Sequence, residues 1–392
     1  MINEKMYELG SKRSIIREIF EYGNMRRSIV GVDNVYDFSL GNPNVPSPKE
    51  LDASISKLCI KEGIHAYTSA PGAISVREAI AKNLNERFKT SFHKDNLYLT
   101  VGAAAALTAT LRGLCNPGDE VITFAPYFTE YKVFTESALA KLVVVSPDFK
   151  NFQIKFDEFE KLINKNTKAV IINSPNNPSG VVYKEETIIK LAKILKEKSI
   201  EFGNPIYLIS DEPYREIVYN NVQVPFVTKY YNNAIVCYSY SKSLSLPGER
   251  LGYVLVPDQV DDSKIVYAAI CGAGRALGYV CAPSLFQFVI EECVNITSDM
   301  SYYEVNRNII LNGLRELGFE CIEPDGAFYL FVKSPIADAN EFAKKAQEYD
   351  ILIVPGDDFG CPGYVRIAYC VSKKIIENSL PAFKKLAEFY NL

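Results

Sequence analysis

The stretch AIVCYSYSKSLSLPGERLGYVLV, residues 234–256, joins two apolar runs through a polar turn that contains Lys242. The runs AIVCYSY (234–240) and RLGYVLV (250–256) are rich in β-branched and aromatic residues, which favours β-strands. A lysine at the end of an apolar strand is unusual, because its charge loses hydration there. Desolvation and nearby cations lower the pKa of an amine, which makes it a nucleophile towards an aldehyde. The alternative is a surface lysine whose stem covers apolar groups.

Five further apolar runs precede this stretch and alternate with amphipathic segments typical of helices. They are NLYLTV (96–101), EVITFA (120–125), LVVVS (142–146), KAVIIN (168–173) and PIYLIS (205–210). Continuous β-rich runs separated by helices predict a mainly parallel, seven-stranded sheet that is covered on both faces. The predicted fold class is therefore α/β, with a large domain over residues 46–283.

The chain on either side of this domain has a different pattern. Apolar residues at helical spacing within 15–20 predict a helical arm in residues 1–45. After the large domain, a long helical stretch over residues 283–317 precedes several short apolar runs and a final amphipathic helix. We therefore expect residues 1–45 and 284–392 to form the arm and a smaller α+β domain.

Composition limits the class of protein. The 392 residues are 48% hydrophobic and 23% charged, which suffices for a large core, and the net charge is −4. No basic run indicates a nucleic-acid partner, and no apolar stretch of about 18 residues indicates a membrane span. Nine cysteines, none in a CxxC pair, predict reduced thiols and a cytoplasmic protein. With only two histidines, no metal site is predicted.

Polar residues follow the ends of several predicted strands, where an open parallel sheet binds its ligands. Small residues that open a helix expose N–H groups to a phosphate, and a buried carboxylate suits a protonated pyridine nitrogen. Taken singly, each residue also fits a structural role as a tight turn, a core aromatic or a helix cap. The candidates that share this position are Gly102, Ala103, Ala104, Phe128, Asn177, Asp211, Tyr214, Ser239, Ser241 and Arg250.

Three motifs together resemble a known family. NSPNNPSG (173–180), SDEPY (210–214) and SYSKSLSLPGERLGY (239–253), in this order, are similar to the signature of the class I and II aminotransferases. These are fold-type I pyridoxal-phosphate enzymes, and the resemblance extends from Gly41 to Arg366. It implies pyridoxal 5′-phosphate as the cofactor and a homodimer as the assembly.

The resemblance also implies a role for each candidate. Lys242 would carry the cofactor as a Schiff base and shuttle the substrate α-proton, and Asp211 would pair with the ring nitrogen. Tyr214 and Asn177 would donate to the phenolate oxygen, and Phe128 would stack on the ring. The phosphate ligands would be Gly102, Ala103, Ala104, Ser239, Arg250 and, across the dimer interface, Tyr67. The substrate α-carboxylate would bind Arg366, Gly41 and Asn177.

The implied reaction is ping-pong transamination, in which an α-amino group passes from an amino acid to a 2-oxo acid. Aspartate is the donor that the family favours, and 2-oxoglutarate is the expected acceptor. β-Elimination, decarboxylation or racemisation on the same cofactor stays open, because the cofactor residues would look much the same. Arg275 is a lone arginine in a segment of small residues. Our hypothesis is that it binds the side-chain carboxylate of the substrate or contributes to the dimer contact.

Two rival interpretations come from other classes of protein. Residues 272–278 imitate a dinucleotide-binding fingerprint, but their third glycine is one place late and the segment follows the predicted sheet. A non-catalytic regulator would need an added DNA-binding module. The residues before the large domain are not strongly basic and show no helix-turn-helix pattern, and Lys242 is present.

Overall fold

A computed structural model describes residues 2–11 and 15–392. The predicted N-terminal arm includes residues 1 and 12–14, which lie outside the described residues. The chain forms two compact units, which are described separately. The larger unit is Val45–Met300 with Asp325–Ala327, and the smaller one is Met1–Asn44, Ser301–Pro324 and Phe328–Leu392.

The strands are numbered along the chain. They are β1 (Tyr36–Asp37), β2 (Leu97–Thr100), β3 (Glu120–Phe124), β4 (Lys141–Val145), β5 (Thr167–Asn173), β6 (Tyr207–Asp211), β7 (Ala234–Ser239), β8 (Gly252–Leu255), β9 (Cys321–Ile322), β10 (Tyr329–Lys333), β11 (Ile351–Leu352), β12 (Val354–Pro355) and β13 (Tyr364–Ala368).

The α-helices are numbered in the same way. They are α1 (Glu4–Ser11), α2 (Ile15–Val30), α3 (Lys49–Leu58), α4 (Ile74–Phe88), α5 (Ala103–Leu114), α6 (Glu130–Ser137), α7 (Phe156–Leu162), α8 (Glu185–Phe202), α9 (Tyr240–Ser243), α10 (Ser263–Ala276), α11 (Ser284–Cys293), α12 (Ser301–Glu316), α13 (Ala339–Gln347) and α14 (Lys373–Tyr390). Within the described residues, no helix is both long and apolar enough to cross a membrane.

A seven-stranded sheet organises the larger unit, in the order β2-β8-β7-β6-β5-β3-β4. The strands from β7 to β4 in this order run parallel, whereas β8 is antiparallel to both of its neighbours, β7 and β2. Each of the seven apolar runs in the sequence covers one of these strands to within one residue at either strand end. The predicted α/β class with a mainly parallel seven-stranded sheet is confirmed.

Alternation along the strands divides the core between the two faces of the sheet. In β6, Leu208 belongs to one apolar cluster and Ile209 to the other, and Val236 and Ile235 do the same in β7. Helices α4, α8 and α11 contribute to the first cluster, and α5 and α10 to the second. Successive side chains of a strand point to opposite faces, so strands buried on both faces need the continuous apolar runs seen in the sequence.

The smaller unit contains an antiparallel sheet in the order β12-β13-β10-β9 and a parallel pair, β1-β11. In this sheet Arg366 of β13 pairs with Phe331 of β10 on one side and with Val354 of β12 on the other. Helix α2 packs Ile19 into an apolar cluster with Val354 and Phe359. Arg366 is therefore held in the central region of a packed sheet.

The segment after the large sheet differs from its expected form. The continuous helix expected over 283–317 is two helices, α11 and α12, separated by residues 294–300. In this break the N–H of Ser298 donates to the carbonyl of Ser243 at 2.8 Å, a bond that a continuous helix would not allow. Because α11 packs on α3 and α4, residues 284–300 lie in the larger unit. The domain boundary predicted at residue 283 stays a prediction.

Candidate active site

The carboxyl ends of β5, β6 and β7 lie side by side at one edge of the large sheet. The strand register pairs Asn173 with Asp211, the last residues of β5 and β6. β8 begins at this edge, because Gly252 pairs with Ser239 of β7 and with Thr100 of β2. The polar residues that follow these strands therefore come together, as expected where an open parallel sheet binds ligands.

Asp211 ends β6 with its side chain buried. Its Oδ2 accepts a hydrogen bond from the Tyr131 hydroxyl at 2.7 Å, and its buried Oδ1 has no hydrogen-bond partner among the described residues. Burial raises the pKa of Asp211 to about 7, an effect that the Tyr131 bond opposes and the charge of Glu212 reinforces. A buried acceptor without a donor is costly. A cationic ring N–H would supply the missing donor, so the carboxylate fits a protonated pyridine nitrogen.

Asn173 ties the turn after β5 to the end of β6. Its side-chain amide donates to the backbone carbonyl of Asp211 at 2.9 Å, and its Oδ1 accepts from the N–H of Asn177 at 2.7 Å. Asn177 and Tyr214 are both buried. Asn173 is not among the predicted residues, although the motif NSPNNPSG begins with it, because its role depends on pairing between two strands.

The backbone of Gly102 approaches Arg250 closely. Gly102 precedes α5 with φ +85°, a conformation that favours glycine, and a Cβ there would lie 2.7 Å from Nη2 of Arg250. The other terminal nitrogen, Nη1, donates to the carbonyl of Pro247 at 2.9 Å. A guanidinium therefore lies beside the helix start at Ala103 and Ala104. This combination of an arginine and helix N–H groups fits a phosphate.

Lys242 lies in α9, a one-turn helix that directly follows β7. Ser239 ends the strand and caps this helix, since its Oγ accepts from the N–H of Ser241 at 3.1 Å. The two serine hydroxyl oxygens are 2.6 Å apart. Lys242 is half-buried, and both Ser241 and Ser243 beside it are buried. The lysine is thus fixed at the sheet edge that also holds Asp211.

The aromatic residues after β3 form a pair. The rings of Phe128 and Tyr131 meet edge to face, with centroids 5.7 Å apart and an interplanar angle of 87°. Phe128 is half-buried, whereas Tyr131 is 1% exposed and bonded to Asp211. Tyr131 is a site residue that the sequence analysis did not single out. The available signal was its position three residues after Phe128 at the start of α6.

Two predicted residues are exposed in the single chain. The side chain of Tyr67 is 91% exposed, and Arg275 is exposed near the end of α10. Among the described residues, neither side chain forms a hydrogen bond with the sheet edge described above. Their predicted roles at a subunit interface or in specificity stay predictions.

Arg366 and Gly41 belong to the smaller unit, where both approach Tyr329. Arg366 is buried, and its Nη2 donates to the carbonyl of Ser39 at 2.5 Å. Its guanidinium lies over the rings of Tyr329 and Phe359, at 4.8 and 5.0 Å from their centroids. A Cβ at Gly41 would overlap the Tyr329 hydroxyl. The two aromatic rings hold the planar guanidinium of Arg366, whose paired N–H groups match the geometry of a carboxylate.

The sheet order, the strand-end carboxylate and the lysine after β7 define a fold-type I pyridoxal-phosphate enzyme. The sequence model of the family described as aminotransferase class I and II matches residues 33–383. The chain belongs to this family and is an aminotransferase, with pyridoxal phosphate as its cofactor. The predicted family, enzyme class and cofactor are confirmed.

Named relatives match the chain over nearly its whole length. It is 30% identical to the aspartate aminotransferase of Thermotoga maritima over 92% of each chain. It is 31% identical to a probable aspartate aminotransferase of Methanocaldococcus jannaschii, over 96% of this chain and 98% of the relative. A crystal structure of an aminotransferase from Eubacterium rectale is 57% identical over 100% of both chains, with a TM-score of 0.98.

Tyr131→Phe is expected to weaken binding of pyridoxal phosphate about tenfold, since a hydrogen bond to a charged group contributes roughly 1.5–3 kcal/mol. The lost bond lowers the pKa of Asp211 in the native protein. The variant should therefore lose its ionised Asp211 at a higher pH, and the deficit in affinity should grow as pH falls. Titration of the apoprotein with cofactor at several pH values measures this.

A suitable control is Tyr231→Phe, which removes a buried hydroxyl that donates to the carbonyl of Ile206 at 2.7 Å. This variant should lose stability but keep its cofactor affinity. Equal affinities for the Tyr131→Phe variant and the native protein at all pH values would show that Tyr131 does not support Asp211.

Proposed function

We propose that the residues at the edge of the large sheet perform the amino-group transfer, with Lys242 as the covalent attachment point of the cofactor. The observation that carries this proposal is the buried Asp211 carboxylate. Its Oδ1 lacks a donor among the described residues, and it lies at the same sheet edge as Lys242. When bound, pyridoxal phosphate supplies an electron sink for the charge that develops on the substrate α-carbon.

Lys242 moves the proton in this scheme. Once the amine of the substrate has displaced Lys242 from the cofactor, the freed ε-amine of Lys242 would take the proton from the substrate α-carbon and return it later in the transfer. Asp211 keeps the ring nitrogen protonated through its negative charge, while Tyr131 holds the carboxylate in place. Tyr214 and Asn177 would hold the phenolate oxygen of the bound cofactor, and Phe128 would cover its ring.

The phosphate is assigned to the opposite end of the same edge. Its ligands are the guanidinium of Arg250, the hydroxyl of Ser239, Tyr67 from the second subunit, and the N–H groups at Gly102, Ala103 and Ala104. The positive φ of Gly102 and its close approach to Arg250 support this assignment. Two independent kinds of donor, a cation and a helix start, would then share one anion.

Arg366 is assigned to the substrate α-carboxylate, together with Gly41 and Asn177. Its buried guanidinium, flanked by two aromatic rings, supports a fixed bidentate contact. The reaction is proposed to be ping-pong, with 2-oxoglutarate as the acceptor. Aspartate is the proposed donor because of the names of two relatives. The relative at 30% identity is named an aspartate aminotransferase, and the relative at 31% identity is named a probable aspartate aminotransferase.

A donor panel tests this function directly. Purified protein loaded with cofactor is mixed with single amino acids, and the cofactor spectrum is followed in the absence of an acceptor. Aspartate should convert the cofactor to its amine form, and 2-oxoglutarate should restore the starting spectrum. If aspartate leaves the spectrum unchanged while another amino acid converts it, the donor assignment is wrong. If no amino acid converts it, the proposed chemistry at this site is wrong.

We also propose that the enzyme is a cytoplasmic homodimer. A tyrosine that is 91% exposed in the single chain supports an interface at Tyr67. Nine free cysteines support a reducing compartment. Light scattering on the eluting protein should give twice the chain mass of 43.9 kDa, and a monomer would contradict the assigned role of Tyr67.

Arg366→Lys is expected to lower kcat/KM for the amino donor about 10- to 100-fold. Lysine keeps the charge but loses the planar fork that makes two parallel hydrogen bonds to a carboxylate. Each charge-assisted bond contributes roughly 1.5–3 kcal/mol. Steady-state kinetics measure the loss, and cofactor affinity should not change.

Arg307→Lys serves as the matched control in the same unit. Arg307 is also buried and pairs with Glu323 at 2.6 Å, but no catalytic role is assigned to it. It should alter stability and leave kcat/KM within about twofold of the native value. If Arg366→Lys behaves in the same way, Arg366 does not bind the substrate carboxylate.

A further inference from the structure

A buried ion pair begins at the residue that follows Asp211 in the chain. The next residue, Glu212, accepts from Nε of Arg215 at 2.5 Å, and the two side chains are 2% and 3% exposed. The other carboxylate oxygen of Glu212 accepts from the Ser210 hydroxyl at 2.7 Å. Both oxygens of Glu212 are thus bonded, and arginine stays charged at any working pH. The pair is ionic and removed from solvent.

Aromatic rings fix the guanidinium of Arg215. It lies 5.4 Å from the ring centroid of Phe88, 5.3 Å from that of Phe226 and 4.5 Å from that of Tyr238. Its Nη1 donates to the Tyr253 hydroxyl at 3.2 Å. A cation held against several ring faces in a dry environment has little freedom to reorient. Its charge therefore stays beside Glu212.

The neighbouring cation Arg87 is not available to replace Arg215. The nearby Arg87 has its own partner, since its Nη1 donates to Glu216 at 3.0 Å. The second oxygen of Glu216 accepts from the Tyr238 hydroxyl at 2.9 Å. The charges here are balanced pair by pair. Removal of Arg215 would leave Glu212, the residue after Asp211 in the chain, as an uncompensated buried anion, and the negative charge of Glu212 opposes ionisation of Asp211.

We infer that Arg215 is a positioning residue for cofactor binding, because it neutralises Glu212 and so lets Asp211 stay ionised beside the cofactor ring nitrogen. This inference rests on the proposed role of Asp211. The groups that face Asp211 are Tyr131, Glu212 and Cys237, and those that face Arg215 are Glu212, Glu216, Tyr238 and Tyr253. Of these, only Glu212 is an anion shared by both sets.

The geometry leads to a charge-rescue test with Arg215→Met, Glu212→Gln and the double variant. Affinity for pyridoxal phosphate is measured by titrating each apoprotein, and the cofactor spectrum is recorded against pH. Arg215→Met should weaken binding at least about tenfold, because one uncompensated charge raises the cost of ionising Asp211. The double variant has no charge at either position. It should recover to within about threefold of native affinity, with a native-like pH profile.

A purely structural role for Arg215 gives a different pattern. The double variant would then bind cofactor no better than Arg215→Met, and that result would overturn the inference. If Arg215→Met does not fold, Glu212→Gln and the double variant carry the test, since both avoid the uncompensated anion. Weak cofactor binding in both would equally contradict the charge-balancing role.

Two parallel variants separate the possible failures. Arg77 is also buried in the larger unit and donates to the carbonyls of Gly72 and Lys94, so Arg77→Met should cost stability without changing cofactor affinity. Asp211→Asn tests the underlying assignment. If Asp211→Asn keeps native affinity, the proposed role of Asp211 fails. If Asp211→Asn binds weakly while Arg215→Met binds normally, only the inference on Arg215 fails.

Discussion

Lys242→Ala is expected to lower kcat by about 10⁴-fold or more, because the substitution removes both the covalent attachment point and the group that carries the α-proton. Lys242 is half-buried in α9 at the end of β7. Single-turnover measurements with the amino donor give the rate. Borohydride reduction followed by mass spectrometry should find cofactor attached to residue 242 in the native protein and not in the variant.

The control for this variant is Lys141→Ala. Lys141 lies at the start of β4, its side chain is 73% exposed, and it pairs with Glu120 at 3.2 Å. Surface pairs of this kind contribute about 0–1 kcal/mol, so both activity and reduction labelling should be native. Turnover close to native in Lys242→Ala, or cofactor trapped on a different lysine of the native protein, would refute the assignment of Lys242.

The parts of this enzyme that the sequence predicted are local. The seven strands follow from continuous β-rich runs, and Asp211, Asn177 and Arg250 stand in motifs next to strand ends. Each of these features is contained within about ten residues of sequence. The resemblance to the family then gave their roles, and the structure brings Asp211 and Lys242 to one sheet edge.

The features that were not predicted depend on long-range contacts. Tyr131 and Asp211 are 80 residues apart in the chain, and their hydrogen bond exists only after β3, β5 and β6 have paired. The break between α11 and α12 likewise contains a long-range hydrogen bond, from the N–H of Ser298 to the carbonyl of Ser243. Arg215 directly follows the motif SDEPY, outside every quoted stretch, and its role follows only from its buried position between Glu212 and aromatic rings. No local pattern encodes these partners.

Asp211→Asn is expected to lower kcat by about 10²–10³-fold and to weaken cofactor binding about 10- to 100-fold. Asparagine has nearly the same shape but no charge, so it cannot hold the ring nitrogen in its protonated form. Loss of one fixed electrostatic contact at a reacting centre has effects of this size. Cofactor titration and steady-state kinetics measure the two losses, and the Tyr131 hydroxyl can still donate to the asparagine carbonyl.

The same variant should make the cofactor-free protein more stable at neutral pH. In the folded apoprotein the pKa of Asp211 is about 7, above the ordinary 3.8, chiefly because the side chain is buried. The folded state then holds this proton more tightly than the unfolded state. Protonated Asp211 therefore adds to the free energy of unfolding below about pH 4, and this contribution is lost as pH rises to about 7. Asparagine has no such loss.

Chemical denaturation of both apoproteins across pH measures this difference. Asp211→Asn should exceed the native apoprotein in free energy of unfolding by a few kcal/mol above pH 7, and the difference should shrink towards zero near pH 4. With saturating cofactor the order should reverse, because only the native carboxylate gains the ionic partner. A difference that does not depend on pH would show that Asp211 is ionised at no cost in the apoprotein. Its missing partner would then not be evidence for the ring nitrogen.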